Sequence, residues 1–232
     1  MKKGISIIIS SHKGEEYDQK YIKKITSRCG LKIDQVRVIV IQNNNQYSLS
    51  QAYNMGWEQA NPDHILLFIH NDIKIETNNW GFKLLSIMNS GDFDIVGLAG
   101  TDYLAETGVW WHDRSRCYGI VNHTDGIKEW ETAFAPPLPR TKEVVAIDGL
   151  FIAVNPDNIK HKFDEDFKGY HLYDLAFVFP NFLDGCNVGV TTQIRVCHES
   201  VGMVNAEWDR NRLQFAEKYK NELPYDLVEE DV

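Results

Sequence analysis

The sequence predicts an α/β protein with a mixed, mainly parallel sheet flanked by helices, folded as a single domain. Strand and helix signals alternate along the N-terminal half, which is typical of βαβ units with helices on both faces of a sheet. The run Ile65-Leu66-Leu67-Phe68-Ile69 is continuously apolar, as in a strand buried on both faces. With 232 residues, 43% of them hydrophobic, the chain can fill one core.

The elements follow in order from these patterns. β-branched or apolar runs predict strands, and charged and apolar residues at helical spacing predict helices. In the N-terminal half we predict strands at 5–9, 36–41, 65–69 and 94–99, and helices at 17–28, 48–60 and 77–88. Ser48 or Ser50 is the predicted N-cap of the second helix and Thr77 that of the third.

The second half is less regular. Residues 101–142 hold Trp110, Trp111, Trp130 and a proline-rich stretch at 136–139, and predict a long, aromatic, loop-rich insertion. Further on we predict strand-like residues at 144–154, a helix at 170–182 stopped near Pro180, one or two strands in 188–196, and a terminal helix at 205–219. The single domain is predicted to span 1–224, followed by a frayed acidic tail at 225–232.

Composition narrows the class of protein. The formal net charge of −9 argues against nucleic acid or an anionic membrane surface as the main partner. The four cysteines form no CxxC pair, which argues against a zinc ribbon or a thioredoxin-type site. Because we find no signal-peptide pattern and no transmembrane segment, we predict a cytoplasmic protein with reduced thiols.

Polar residues follow each predicted parallel strand, at the edge where open sheets bind ligands. Asp72 follows the third strand, and one carboxylate together with substrate phosphates can hold Mg²⁺ or Mn²⁺. Asp72 could equally just end the strand or cap the next helix. The loop 10–16 after the first strand is small and polar, but it has neither a dinucleotide nor a P-loop fingerprint and could be an ordinary connection. The amides at 42–45 could read the edge of a base or serve as turn residues.

Two sites in the second half could carry chemistry. Residues 163–174 combine four acids with His171 and several aromatic residues, which suits a carboxylate held in a partly dry site as a general base. The alternative is a solvated helix start whose acids complement the helix dipole. His198 directly follows a strand and could ligate a metal, although a lone histidine can be simply a satisfied polar residue.

Taken together, the order and spacing of these segments over residues 4–202 resemble glycosyltransferase family 2 and its GT-A fold, which is Rossmann-like. The closer resemblance is to the StrF-type glycosyltransferases of streptomycin biosynthesis. Residues 68–72 (Phe-Ile-His-Asn-Asp) look like that subgroup's DxD motif with one acid kept, and Gly100 to Trp111 resembles its Ala-Gly…Trp-Trp segment. The resemblance implies a nucleotide-binding half at 1–100 and an acceptor-binding half at 101–224.

The resemblance also implies roles for individual residues. Those implied in nucleotide binding are Ser10, Ser11, His12, Glu15, Gln42, Asn43 and Asn71. The implied metal ligands are Asp72 and His198, and the implied catalytic base is Asp174. Those expected near the acceptor or sugar are Asp148, Gly149, Trp110, Trp111 and His171, although the two tryptophans could equally belong to the core.

The activity so implied is inverting transfer of a sugar from a nucleotide-diphosphate sugar, with a UDP-sugar favoured, to a sugar or glycan acceptor with Mn²⁺ or Mg²⁺. His70 stands where the family often has an acid, and Ala176 replaces another. These departures keep a non-catalytic nucleotide-sugar-binding protein as an alternative. A nucleotidyltransferase is a third reading, but it would be expected to show a Gly-rich, basic loop after the first strand, whereas residues 10–16 contain one Gly and one Lys.

Overall fold

The computed structural model describes residues 1–134, 140–200, 202 and 204–228. The α-helices in these residues are α1 (Glu15–Thr26), α2 (Leu49–Glu58), α3 (Trp80–Met88), α4 (Tyr173–Leu183) and α5 (Ala206–Lys218). Short 3₁₀ turns occur at Ile33–Gln35 and Arg114–Arg116. Within the part of the chain that the structure describes, no helix is both long and apolar enough to cross a membrane.

The strands divide between a central sheet, a second sheet and a two-stranded ribbon. The strands of the N-terminal half are β1 (Gly4–Ser11), β2 (Val36–Gln42), β3 (His64–Ile69), β4 (Ile73–Ile75), β5 (Ile95–Gly97), β6 (Ala99–Thr101) and β7 (Tyr103–Leu104). Those that follow are β8 (Cys117–Thr124), β9 (Glu129–Ala133), β10 (Thr141–Glu143), β11 (Ala146–Ile147), β12 (Phe151–Val154), β13 (Val188–Thr191), β14 (Val196–His198) and β15 (Tyr225–Asp226).

The central sheet has the order β10-β13-β5-β12-β3-β1-β2. β2 and β3 flank β1 in parallel, whereas β12 runs antiparallel between β3 and β5. Every residue of β3 is buried, as its continuous apolar run predicts. Strands from both halves of the chain therefore form one sheet, which confirms the predicted mixed α/β architecture.

Two cores cover the two faces of this sheet. Ile5, Ile7 and Ile9 pack in one core, together with side chains from α1 and α3. Ile8 points to the opposite face, where α2 supplies Ala52 to the other core. Alternation along β1 thus places helices on both faces, because successive side chains of a strand point to opposite sides.

The second sheet corrects the predicted strands at 94–99 and 144–154, and agrees with one or two strands in 188–196. It has the order β11-β6-β8-β14-β4, with β9 paired to β8. The predicted strands at 94–99, 144–154 and 188–196 each divide into one strand in the central sheet and one in the second sheet. The prediction of a loop-rich insertion at 101–142 is wrong for about half of its described residues, because they form β7, β8, β9 and parts of β6 and β10. Residues 135–139 lie outside the described residues.

Three local predictions also need correction. Asn79, in a left-handed conformation, precedes α3, while the Thr77 hydroxyl accepts a hydrogen bond from the backbone of Arg195. Pro180 lies inside α4, whose buried face from Leu175 to Phe179 keeps the helix packed although proline lacks an N–H donor. The tail is not entirely frayed, because β15 pairs with β7; residues 229–232 lie outside the described residues.

The Ser48 cap of α2 is confirmed, with a capping box completed by Gln51.

Candidate functional site

Three side chains converge where β3 ends and β14 ends. The ligand atoms of His70, Asp72 and His198 all lie within 4.8 Å of one another. His198 Nε2 is 3.3 Å from Asp72 Oδ1, and His70 Nδ1 is 3.9 Å from the same oxygen. Among the described residues, Asp72 Oδ1 is one of few buried side-chain oxygens that accept no well-aligned hydrogen bond. A buried carboxylate oxygen with two imidazoles and the Ser200 hydroxyl beside it, and no well-aligned donor, fits a divalent cation.

Neighbouring groups hold the three ligands in place. His70 Nε2 and the Tyr173 hydroxyl lie 2.7 Å apart, which leaves Nδ1 directed to Asp72. Ser200 Oγ lies 3.0 Å from His198 Nε2. The Tyr21 hydroxyl donates to the His70 carbonyl at 2.8 Å. Supporting bonds of this kind orient metal ligands and fix their tautomers.

The charges of this cluster follow from its contacts. Burial by itself would raise the pKa of Asp72, but the hydrogen bond and positive charge of His198, aided by His70, hold that pKa well below its usual range. Burial lowers the pKa of His70, and His198 lowers it further. The pKa of His198 is raised despite burial, because Asp72 stabilises its charged form. Asp72 is therefore ionised at neutral pH, as a metal ligand would have to be.

A pocket of about 170 Å³ opens beside Asp72 at the ends of β1, β2 and β3. Its lining consists of Ser10, His12, Asn43, Leu49, Tyr53, His70, Asn71, Asp72 and Tyr170. Five of the predicted site residues thus meet around one cavity, because parallel strands end at the same edge of a sheet. The remaining predicted residues lie elsewhere in the described part of the chain.

Ser11 and Gln42 are held by an acid that the sequence analysis missed. Asp18, on the first turns of α1, is 4% exposed and accepts hydrogen bonds from Ser11 Oγ and Gln42 Nε2, each at 2.6 Å. Asp18 therefore ties the ends of β1 and β2 together. Glu15, at the start of α1, is exposed.

Asn43 uses its whole side chain inside the protein. Its Nδ2 donates to Ser10 Oγ and to the Tyr47 carbonyl, and its Oδ1 accepts from the backbone N–H groups of Gln46 and Tyr47. An asparagine amide has two donor hydrogens and two acceptor lone pairs, so no capacity is left for a base. The geometry favours the turn role that the sequence left open, with Asn43 shaping the pocket wall.

Asp148 and Asp174 form the acidic side of the site. Asp148 lies between β11 and β12, and Asp174 lies on the first turn of α4. Burial, together with the negative charge of Asp148, raises the pKa of Asp174 to about 7, although helix N-termini normally favour the charged carboxylate. A carboxyl with that pKa can accept a proton at neutral pH.

The backbone around Asp174 is specialised. Leu172 caps α4 with φ 61°, a left-handed conformation that is costly for leucine, and turns Tyr173 and Asp174 into the site. A Cβ at Gly149 would collide with the Tyr173 hydroxyl, so only glycine allows the connection before β12 to pass the ring.

The aromatic residues predicted near the sugar differ in their exposure to solvent. Trp110 is 5% exposed within the core, and its ring packs against Phe134. Trp111 is 38% exposed and its ring lies 5.7 Å from that of Trp208 on α5. His171 is half-buried, and its carbonyl accepts from Asn211. Trp110 thus offers little surface to a ligand.

Sequence reasoning missed several members of the site. The sequence shows His70 only as the replacement of an acid, whereas in the structure it joins Asp72 and His198. Tyr53 lines the pocket with a hydroxyl that is buried and unpartnered within the described residues. His123, on β8, lies beside His198 with 6.0 Å between ring centroids. The spacing from His70 to Asp72 was the one signal that could have shown the first of these.

The sequence and the fold were both compared with those of known proteins. The model of a family described as "Glycosyltransferase like family" matches residues 6–219. No curated protein matches the chain.

Among solved structures, the chain is similar to GalNAc-T7 with UDP, GalNAc and Mn²⁺, at 12% identity and a TM-score of 0.62. That match covers 94% of this chain and 49% of GalNAc-T7, so the chain spans about half of that protein's length. It is also similar to the mannosyltransferase PcManGT from Pyrobaculum calidifontis with GDP-Man and Mn²⁺ (9% identity, TM-score 0.50, covering 94% of this chain and 70% of that one). A third match is A197 from STIV (11% identity, TM-score 0.50, covering 87% and 86%). The fold is of the GT-A type.

Proposed function

The chain belongs to the glycosyltransferase-like family, and from that premise we propose that it transfers a sugar from a nucleotide-diphosphate sugar, with a UDP-sugar favoured, to an acceptor hydroxyl. The observation that carries the proposal is the pocket in which His70 and Asp72 meet the polar ends of β1, β2 and β3. We further assign the chain to the StrF-like subgroup, on the residues 68–72 that resemble its motif.

Asp72, His70 and His198 would hold a divalent ion at the diphosphate end of the donor. Two imidazoles and one carboxylate suit Mn²⁺ better than Mg²⁺, which prefers oxygen ligands. A bound ion would neutralise negative charge on the departing diphosphate. The nucleoside would occupy the pocket lined by Ser10, His12 and Asn71.

Asp174 would act as the base in an inverting transfer. The acceptor oxygen forms a bond to the anomeric carbon while the bond from that carbon to the diphosphate breaks, and the acceptor proton passes to an Asp174 carboxylate oxygen. General-base assistance of this type is typically worth about 10²–10⁴ in rate. Asp148 supports the step because its charge raises the proton affinity of Asp174.

We also propose a cytoplasmic location. The four cysteines are buried as separate thiols, which suits a reducing compartment.

Calorimetric titration with UDP and GDP, with and without Mn²⁺, tests the donor site. We expect Mn²⁺-dependent binding of UDP that falls about 100-fold or more in Asp72→Ala, since a carboxylate ligand is lost. Asp92→Ala, which removes an exposed carboxylate, is the matched control and should bind as the wild type does. Equal binding by Asp72→Ala would exclude this metal site, and absence of both UDP and GDP binding would contradict the proposed donor site.

A nucleotide-sugar-binding protein without transfer activity is the second candidate. It is favoured by Ala176 and His70, which stand where related enzymes often carry acids. Incubation with UDP-sugars and Mn²⁺ separates the two, because an enzyme should release UDP, slowly to water and faster to an acceptor. Tight binding of an unaltered donor would identify the binding protein.

A further inference from the structure

A row of aromatic rings leads away from the candidate metal cluster. The centroids of Tyr173 and His70 are 6.3 Å apart, and those of His70 and His198 are 5.6 Å apart. His123 follows at 6.0 Å from His198, and Trp130 at 5.5 Å from His123. The row joins the cluster to a tryptophan that is 38% exposed.

Strand register fixes the outer part of this row. His198 on β14 pairs directly with His123 on β8, and His123 pairs directly with Trp130 on β9. Directly paired residues project from the same face of a sheet, with side chains close enough to interact. The rings of His123 and Trp130 stack with 13° between their planes. This part of the site is therefore held by a sheet, which is a rigid support.

The row also lies next to the acidic side of the site. The negative charge of Asp148 acts on His123 and on Asp174 alike. His123 is thus within electrostatic reach of the carboxylate that neighbours the candidate base. An acceptor hydroxyl must lie between that base and the donor sugar, so a molecule seated beside His123 is on the acidic side of the site.

We propose that His123 and Trp130 form the subsite for an acceptor sugar, an inference that rests on the proposed transfer function. The C–H face of a pyranose packs on the indole face that His123 leaves open, and His123, stacked on the other face, holds the indole in place. Trp111 is as exposed as Trp130, but its ring packs against Trp208 of α5 rather than along the row.

Saturation-transfer NMR with a panel of methyl glycosides (gluco, galacto, manno and N-acetylglucosamine) tests this subsite, with and without UDP and Mn²⁺. We expect the wild type to bind at least one glycoside. Trp130→Ala should weaken that affinity about tenfold, the size of one aromatic stacking contact, and Trp130→Phe should weaken it less. Ile127→Ala, at the 92%-exposed tip of the same hairpin, is the control and should bind normally.

Calorimetry with UDP and Mn²⁺ on the same variants separates this proposal from the donor site. All variants should bind UDP as the wild type does. The subsite is wrong if the wild type binds no glycoside, if Trp130→Ala binds it undiminished, or if Trp130→Ala loses UDP binding while its circular dichroism is unchanged. A wild type that binds glycoside but no UDP would instead contradict the donor site alone.

Discussion

The pKa values of Asp72 and Asp174, two carboxylates of the site, are shifted in opposite directions. The imidazoles beside Asp72 hold its pKa below the usual range, whereas burial and Asp148 raise the pKa of Asp174 to about 7. Environment, not residue type, sets such differences. This difference agrees with the proposed roles, because a metal ligand must remain charged whereas a base must exchange a proton near neutral pH.

Turnover should therefore depend on the ionisation of Asp174. A base is active only when deprotonated, so kcat should fall below pH about 7 and level off above it. Asp174→Asn should lower kcat by about 10²–10⁴ without changing the affinity for UDP. A pH–rate series on both proteins measures this. Unchanged turnover in the variant would remove Asp174 from the mechanism.

Ionisation of Asp174 should also affect the stability of the fold. Raising the pH should increase kcat but decrease stability. The ordinary pKa of 3.8 rises to about 7 on folding, so between these values the folded state holds a proton that the unfolded chain releases. Stability from this group thus decreases as pH rises through that window. Asp174→Asn cannot ionise and should melt at a higher temperature than the wild type at pH 8, with a smaller difference at pH 4. A lower melting temperature at pH 8 would contradict the assigned burial.

Sequence reasoning singled out Asp72 and His198 because each lies at or just beyond the end of an apolar strand, and the structure brings the two side chains together. It could not identify His123, since the contact with His198 depends on the pairing of strands far apart in the chain. Nor could it show that Asn43 is fully hydrogen-bonded, because an amide at a strand end has the same sequence signature in a turn and in a base-binding site.

At the scale of elements, helices and parallel strands were predicted well and sheet membership was not. Leu98 separates β5 from β6. Both strands and the residue between them are buried. The hydrophobic pattern of the sequence indicates which residues are buried. It cannot tell the two sheets apart, because these strands are buried in both. Where the chain passes from one sheet to the other is decided by tertiary packing, as at Gly149 beside Tyr173.

The contact between α2 and β1 gives a test at this scale. Gly56→Ala in a free helix would add about 1 kcal/mol of stability. Here the new methyl group would collide with the side chain of Ile8, which is fully buried. We expect destabilisation by about 1–3 kcal/mol instead, because a packed core cannot absorb the added volume.

Urea unfolding measures this change. Met55→Ala, on an exposed position of the same helix, is the control and should alter stability by less than about 0.5 kcal/mol. A Gly56→Ala protein more stable than the wild type would show that α2 lies farther from β1.

At the scale of the whole molecule, one charged group connects the chain end to the second sheet. Arg116 donates a hydrogen bond to Asp102, which is 1% exposed. It also donates two hydrogen bonds, in a bidentate arrangement, to the carboxylate of Asp226 on β15. Asp102 also accepts from the Tyr118 hydroxyl. Because the buried acid depends on this guanidinium, β7, β8 and β15 are held together.

Arg116→Met should leave the Asp102 charge buried without its main partner. We expect a loss of about 2–4 kcal/mol, somewhat below the value for fully buried pairs because the arginine side chain is 25% exposed. Lys220→Met, which breaks an exposed pair with Glu217, should cost less than about 1 kcal/mol. Chemical denaturation of both variants gives the comparison, and equal losses would show that Asp102 finds other partners.

The position of β12 has a consequence for biosynthesis. β3 lies between β1 and β12, and both neighbours of β5, β12 and β13, come later in the chain. While the polypeptide leaves the ribosome, the apolar edge of β3 stays open until Val154 has been translated. An open strand edge invites intermolecular pairing. The first hundred residues alone thus leave one edge of β3 unpaired, and we expect a chain of that length to aggregate more readily than the full chain.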